Sequence, residues 1–105
     1  MADIETDLFF ARTLASDNNP AIRNGAEALS LAEHANRLTG GEQPFVLDTL
    51  ALAYAEVGRL KEAEAAVRKA ITLAAASGAT NELSEMERRL QLYQSGQPYR
   101  QKISL

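Results

Sequence analysis

The chain contains no cysteine, no tryptophan and a single histidine, and only 6% of its residues are aromatic. Without cysteine there is no disulfide framework, no thiol nucleophile and no thiolate zinc ligand. The one histidine, His34, is flanked by Glu33 and expected on a solvated helix face. A zinc site would have to be built almost wholly from carboxylates. No metal and no other cofactor is therefore expected. Glycine-rich phosphate loops, a G-x-S-x-G elbow and a Ser/His/Asp constellation are also missing. Paired carboxylates for acid–base work need a cleft that raises one pKa, and nothing in the sequence places two acids in such a cleft. No enzymatic activity is expected.

An excess of positive charge is lacking too. The formal net charge is −3 and the isoelectric point about 5.1. This disfavours nucleic acid and anionic lipid as main partners, because both are held by neutralising phosphates with Lys and Arg. Basic residues cluster at Arg88-Arg89 and at Arg100 to Lys102, but Glu85 and Glu87 stand beside the first pair. The N-terminal MADIETD is acidic and has no apolar segment of the signal-peptide kind, and no apolar run is long enough to span a bilayer. A soluble domain with no direct membrane contact is expected, its compartment left open.

What is present is helical. With 105 residues, 46% of them hydrophobic, the chain reads as one domain whose core is mostly Ala, Leu, Ile and Val. Strand-favouring runs are missing, so the expected class is all-α. Ile4, Leu8, Ala11 and Ala15 recur at helical spacing, predicting a first helix from about Asp3 to Ser16 with acidic residues in its first turns. Asn24 with Glu27 reads as a capping box opening a second helix through Ala28, Ala32, Ala35 and Leu38, which Gly40-Gly41 stops. Pro44 opens a third helix through Leu47, Leu50, Ala51 and Tyr54. After Gly58 a fourth runs from Leu60 to about Ser77. Thr80 or Asn81 caps a fifth through Leu83, Met86, Leu90 and Tyr93, which Gly96 and Pro98 end. Short connections make this an antiparallel stack.

Ala28, Ala32, Ala35 and Leu38 align with Ala63, Val67, Ala70 and Leu73, each pair 35 positions apart. Such agreement indicates an internal repeat. The second copy, FVLDTLALAYAEVGRLKEAEAAVRKAITLA at 45–74, resembles the tetratricopeptide repeat: Leu50, Ala51, Tyr54, Gly58, Leu60, Ala63, Ala70, Ile71 and Leu73 stand at the family's signature positions. The departures are Leu47 at the usual tryptophan, Val67 at the usual aromatic and Ala75 where a proline often closes the repeat. The resemblance implies an α-solenoid of helix hairpins. A first repeat would occupy about 4–39, a second about 44–77, a capping helix about 81–95 and a tail 96–105. The fifth helix carries Glu87 at the small-residue position, and its other face is read as Glu82, Ser84, Glu85, Arg88, Arg89, Gln91 and Gln94. A polar back of this kind suits a helix that ends a stack.

Between the helices of the first pair lies SDNNPAIRNG, Ser16 to Gly25. Phe10, Ala11 and Leu14 match Leu50, Ala51 and Tyr54 at an offset of 40, whereas the second helices repeat at 35, so this connection holds five extra residues. Pro20 is expected to begin a short turn, Ile22 to pin it to the core and Asn24 to cap the next helix. Asp17, Asn18, Asn19 and Arg23 form a possible secondary binding site; the alternative is a solvated seam.

Proteins of the resembling family bind peptides along a concave face lined by the first helix of each pair. Carried over, that face holds Glu5, Leu8 and Arg12 from the first repeat and Phe45, Asp48, Leu52 and Glu56 from the second. The basic clamp by which some members hold acidic C-terminal tails is not matched, since Leu8, Arg12, Asp48 and Leu52 stand at its positions. The partner implied is a protein or peptide other than an acidic tail. A competing reading has Phe45 and Leu52 packed beneath the fifth helix or Tyr99. Two functions follow: a non-catalytic protein-interaction module, or a C-terminal structural domain of a larger bacterial protein of a kind that includes membrane-anchored members. The second is suggested by the resemblance of Gly96-Gln97-Pro98-Tyr99-Arg100 to endings of such proteins, and would act by self-association or intramolecular docking.

Overall fold

The computed structural model describes residues 4–101, and among them there is no β-strand. Five α-helices follow one another: α1 Ile4–Ser16, α2 Gly25–Leu38, α3 Pro44–Glu56, α4 Leu60–Ala76 and α5 Leu83–Gln94. A 3₁₀ turn, Thr80–Glu82, leads into α5. Each helix packs on the next, and α1 also lies against α3.

Local chemistry sets the boundaries. The Asn24 side chain accepts a hydrogen bond from the Glu27 amide at 3.1 Å, satisfying one of the free donors that open α2. Asn24's own amide donates to the Leu14 carbonyl at 2.8 Å, which ties the start of α2 to the end of α1. Pro44 stands in the first turn of α3, where its missing N–H costs nothing. Gly58 has φ 86°, a left-handed conformation that turns the chain from α3 into α4 at no steric cost. Arg59 then donates to Glu62 across the first turn of α4, and that hydrogen bond holds the Glu62 carboxyl below its ordinary range. The expected side-chain cap on α5 is not formed. Thr80 and Asn81 lie in the 3₁₀ turn instead, and α5 starts two residues later than the spacing suggested. Asp3, expected in the first helix, lies outside the described residues.

The core is built on alanine. Ala11, Ala28, Ala32, Ala51, Ala53, Ala63 and Ala70 are wholly buried, with Val67 among them. Small side chains let helix axes approach toward the lower end of the usual 8–10 Å. The repeated positions of α2 and α4 correspond in burial: Ala28, Ala32 and Ala35 are inside, as are Ala63, Val67 and Ala70. The correspondence ends at Leu38, which is exposed where Leu73 is partly buried against the core.

Helix α3 differs from the others. Val46 to Ala53 and Ala55 are all buried. A helix covered on every side is a core helix, and this one includes a carboxylate, Asp48. Helix α5 packs on α4 and on the 3₁₀ turn, and its Met86, Tyr93 and Arg89 side chains join the core and the Asp48 carboxylate of α3. Beyond α5 the chain turns at Gly96 (φ 86°) and residues 97–101 fold back across the inner side of α1 and α3 as a strap. Residues 97–101 of the tail thus lie against the domain, while residues 102–105 lie outside the described part.

Candidate functional site

Asp48 is 1% exposed and is the centre of a buried polar cluster. Arg89 grips it at two points, Nε to Oδ1 at 3.0 Å and Nη2 to Oδ2 at 2.7 Å. Arg12 adds a third donor, Nη1 to Oδ2 at 3.1 Å, and the same nitrogen donates to Thr49 Oγ1 at 2.9 Å. The Thr49 hydroxyl in turn donates to the Phe45 carbonyl one helical turn back, at 2.9 Å. Both guanidinium planes also meet an aromatic ring: Arg12 lies 4.8 Å from the Phe45 ring centre and Arg89 5.2 Å from that of Tyr99. The planar fork of arginine matches a carboxylate in this way and a lysine would not.

Burial works against the charge on Arg89, but the Asp48 carboxylate beside it more than compensates and raises its pKa. Tyr93 lies in the same cluster, 1% exposed, and its hydroxyl has no hydrogen-bond partner among the described residues. Desolvation pushes that phenol's pKa strongly upward, and the Asp48 charge adds to the effect.

A second cluster surrounds Glu56 at the end of α3. Arg100 of the strap pairs with Glu56 Oε1 at 2.8 Å, and Arg23 of the long connection pairs with Oε2 at 3.4 Å. Arg23 also donates to the Asp17 carbonyl at 2.8 Å and the Asn18 carbonyl at 3.3 Å. Asp17 accepts from the Asn19 amide and Asn19 from the Ala21 amide, two local turns that stiffen the connection. The strap is held at its backbone: the Gln101 amide donates to the Ser16 carbonyl at 2.8 Å, and its carbonyl accepts from the Asn18 side chain.

The concave face expected from the sequence is thus closed rather than open. Leu8, Asp48 and Leu52 are buried, at 3%, 1% and 2% exposure. Glu56 is mostly covered by its two arginines. Leu52 packs in the apolar cluster that Tyr99 joins, which is the competing reading set out above. Phe45 stays half-exposed, Arg12 is partly buried and Glu5 is exposed. Of the connection residues, Asp17, Asn18, Asn19 and Arg23 do come together, around the chain's own Gln101 and Glu56. The pin is Arg23 and not Ile22, which is 44% exposed.

Arg89 differs from its expected place on the polar back of α5: three residues after Met86 and four before Tyr93, it lies on the buried stripe itself. That spacing, with a lone carboxylate in the otherwise apolar stretch around Asp48, was the available signal.

Beside the N-terminus of α3 is a surface hollow of about 310 Å³, lined in part by Pro44, Phe45, Ala74, Ala79, Glu82 and Met86. Among the described residues no group of three or more histidine and carboxylate side chains is placed to hold a metal ion, and no helix is long and apolar enough to cross a membrane. The fold and this cluster define an all-helical domain with a buried ionic centre. No family model matches the chain, and no curated protein or solved structure matches it either.

Proposed function

We propose that the chain is a non-catalytic, tetratricopeptide-like helical domain that acts structurally, by docking its own C-terminal segment onto the face where relatives of that type would hold a peptide. One observation carries the reading. The middle of the inner face, Asp48, is saturated by Arg12 and Arg89, and the end of that face, Glu56, is held by Arg100 of the strap. A face filled from within the chain suits a terminal assembly domain of a larger protein better than an open groove awaiting a ligand.

The hairpin order supports a solenoid reading, since successive helices pack on one another and α1 lies against α3. A second reading, capture of a partner's apolar side chain, is favoured only by the hollow at Phe45.

The test is the full chain carrying Tyr99→Ala and Arg100→Ala. Under the docking reading its melting midpoint falls by several degrees and it binds a hydrophobic dye that the wild type does not. Light scattering from micromolar to millimolar concentration should keep the wild type at 11.4 kDa. An unchanged midpoint in the variant would count against docking, and a mass that rises with concentration would favour self-association instead.

A further inference from the structure

The five extra residues of the α1–α2 connection have a specific counterpart, the strap. Ser16 and Asn18 take hold of Gln101 by its backbone amide and carbonyl, contacts that any residue except proline could make at that position. Selectivity resides one and two residues earlier. Arg100 meets Glu56 at 2.8 Å, and the Tyr99 ring sits against Arg89 and between two apolar clusters, one containing Leu52 and the other Met86. Backbone pinning combined with side-chain seats is how extended peptides are recognised. The seat is also electrostatically biased: Glu56 carries the carboxylate that meets the incoming cation, and Arg23 steadies it from the other side.

Strap residues Pro98, Tyr99, Arg100 and Gln101 remain partly exposed, and Gly96 provides a turn about which they can leave.

We propose that this seat, formed by Ser16, Asn18, Glu56 and the Leu52–Arg89 surface, is a recognition site for an extended segment with an aromatic residue followed by arginine. A partner polypeptide of that chemistry competes for it with the chain's own Tyr99-Arg100. The inference rests on the docking reading above and adds that the seat also works in trans. A tethered strap competes at an effective concentration on the order of millimolar. The wild type therefore resists such a peptide, and a strap-weakened chain accepts it.

The experiment titrates the full-length, isotope-labelled Tyr99→Ala/Arg100→Ala chain with a synthetic peptide of sequence SGQPYRQKISL, following backbone amide shifts. Saturable shifts are expected at Asn18 and Glu56, with an affinity at least about tenfold above that of the wild-type chain. They should vanish for a peptide whose arginine is replaced by glutamate, and weaken in a chain that also carries Glu56→Gln. If the double variant does not fold, Arg100→Ala alone is titrated in the same way. A folded variant that shows no saturable shifts at millimolar peptide overturns recognition in trans. The two readings separate cleanly. A lowered melting midpoint without peptide binding removes only this inference, whereas a wild-type midpoint removes the docking reading beneath it.

Discussion

Arg89 and Asp48, 41 positions apart in the sequence, form a two-point ion pair at 3.0 and 2.7 Å with both side chains almost fully buried. It joins α5 to α3 beside the apolar core that Met86 and Tyr93 share with Leu47 and Leu50. Removing one partner strands the other. Arg89→Ala is expected to destabilise the fold by about 3 kcal/mol, because breaking a buried pair leaves an uncompensated charge. Replacing both residues with apolar ones, Asp48→Leu with Arg89→Met, should cost clearly less than the sum of the single changes. Urea unfolding of the three variants measures this, and additive losses would contradict the coupling.

Tyr93 gives a prediction of opposite sign. Its hydroxyl is buried with no partner among the described residues, so Tyr93→Phe should leave stability unchanged or raise it by about 1 kcal/mol. The pH dependence follows from the raised pKa. The folded chain keeps this phenol neutral while the unfolded chain ionises near the ordinary value of 10, so stability is intact below that pH and falls as pH rises above it. Tyr54, raised by its own burial and by Glu33, pushes the same way. Alkaline unfolding followed by circular dichroism should begin at higher pH in Tyr93→Phe. An onset at the wild-type pH would show that this phenol does not govern the transition.

The helices were legible from periodicity, and Asn24 and Pro44 stand where their chemistry puts them. Asn24 is a local signal, because its partner Glu27 is three residues away. The closure of the inner face was not legible. It depends on Arg89 meeting Asp48 and on Arg100 meeting Glu56, pairings between distant segments that a helical repeat pattern does not specify. The anchor of the connection also differs from the hydropathy expectation: Ile22 is exposed, and Arg23 serves because a guanidinium can satisfy two carbonyls and a carboxylate at once.

Glu56 should couple the connection to the strap. Arg23→Ala and Arg100→Ala each remove one arm of its grip, and both arms are partly solvated, so each should cost no more than about 1 kcal/mol. In a Glu56→Gln background the two substitutions should cost markedly less. A double-mutant cycle measures the difference, and equal losses in both backgrounds would remove Glu56 from the account.

Gly25 tests the packing at the same corner. A Cβ there would stand 2.8 Å from Glu56 Cγ and 2.9 Å from Val57 Cγ1. Alanine is the better helix former, worth up to about 1 kcal/mol. The clash should nevertheless win, leaving Gly25→Ala less stable by about 1 kcal/mol or more, since overpacking at a fixed junction costs about 1–3 kcal/mol. Thermal melts decide it, and a stabilised variant would mean that the α2–α3 corner yields easily.

Amide hydrogen exchange at Gln101 in the unmodified chain examines the closed inner face most directly. Its N–H donates to the Ser16 carbonyl at 2.8 Å, a contact that exists only when the last segment lies across the connection between α1 and α2. Exchange slowed at least tenfold relative to a free peptide is the expected result, with the protection lost in Tyr99→Ala/Arg100→Ala. Exchange at the free-peptide rate in the unmodified chain would mean that the segment does not dock.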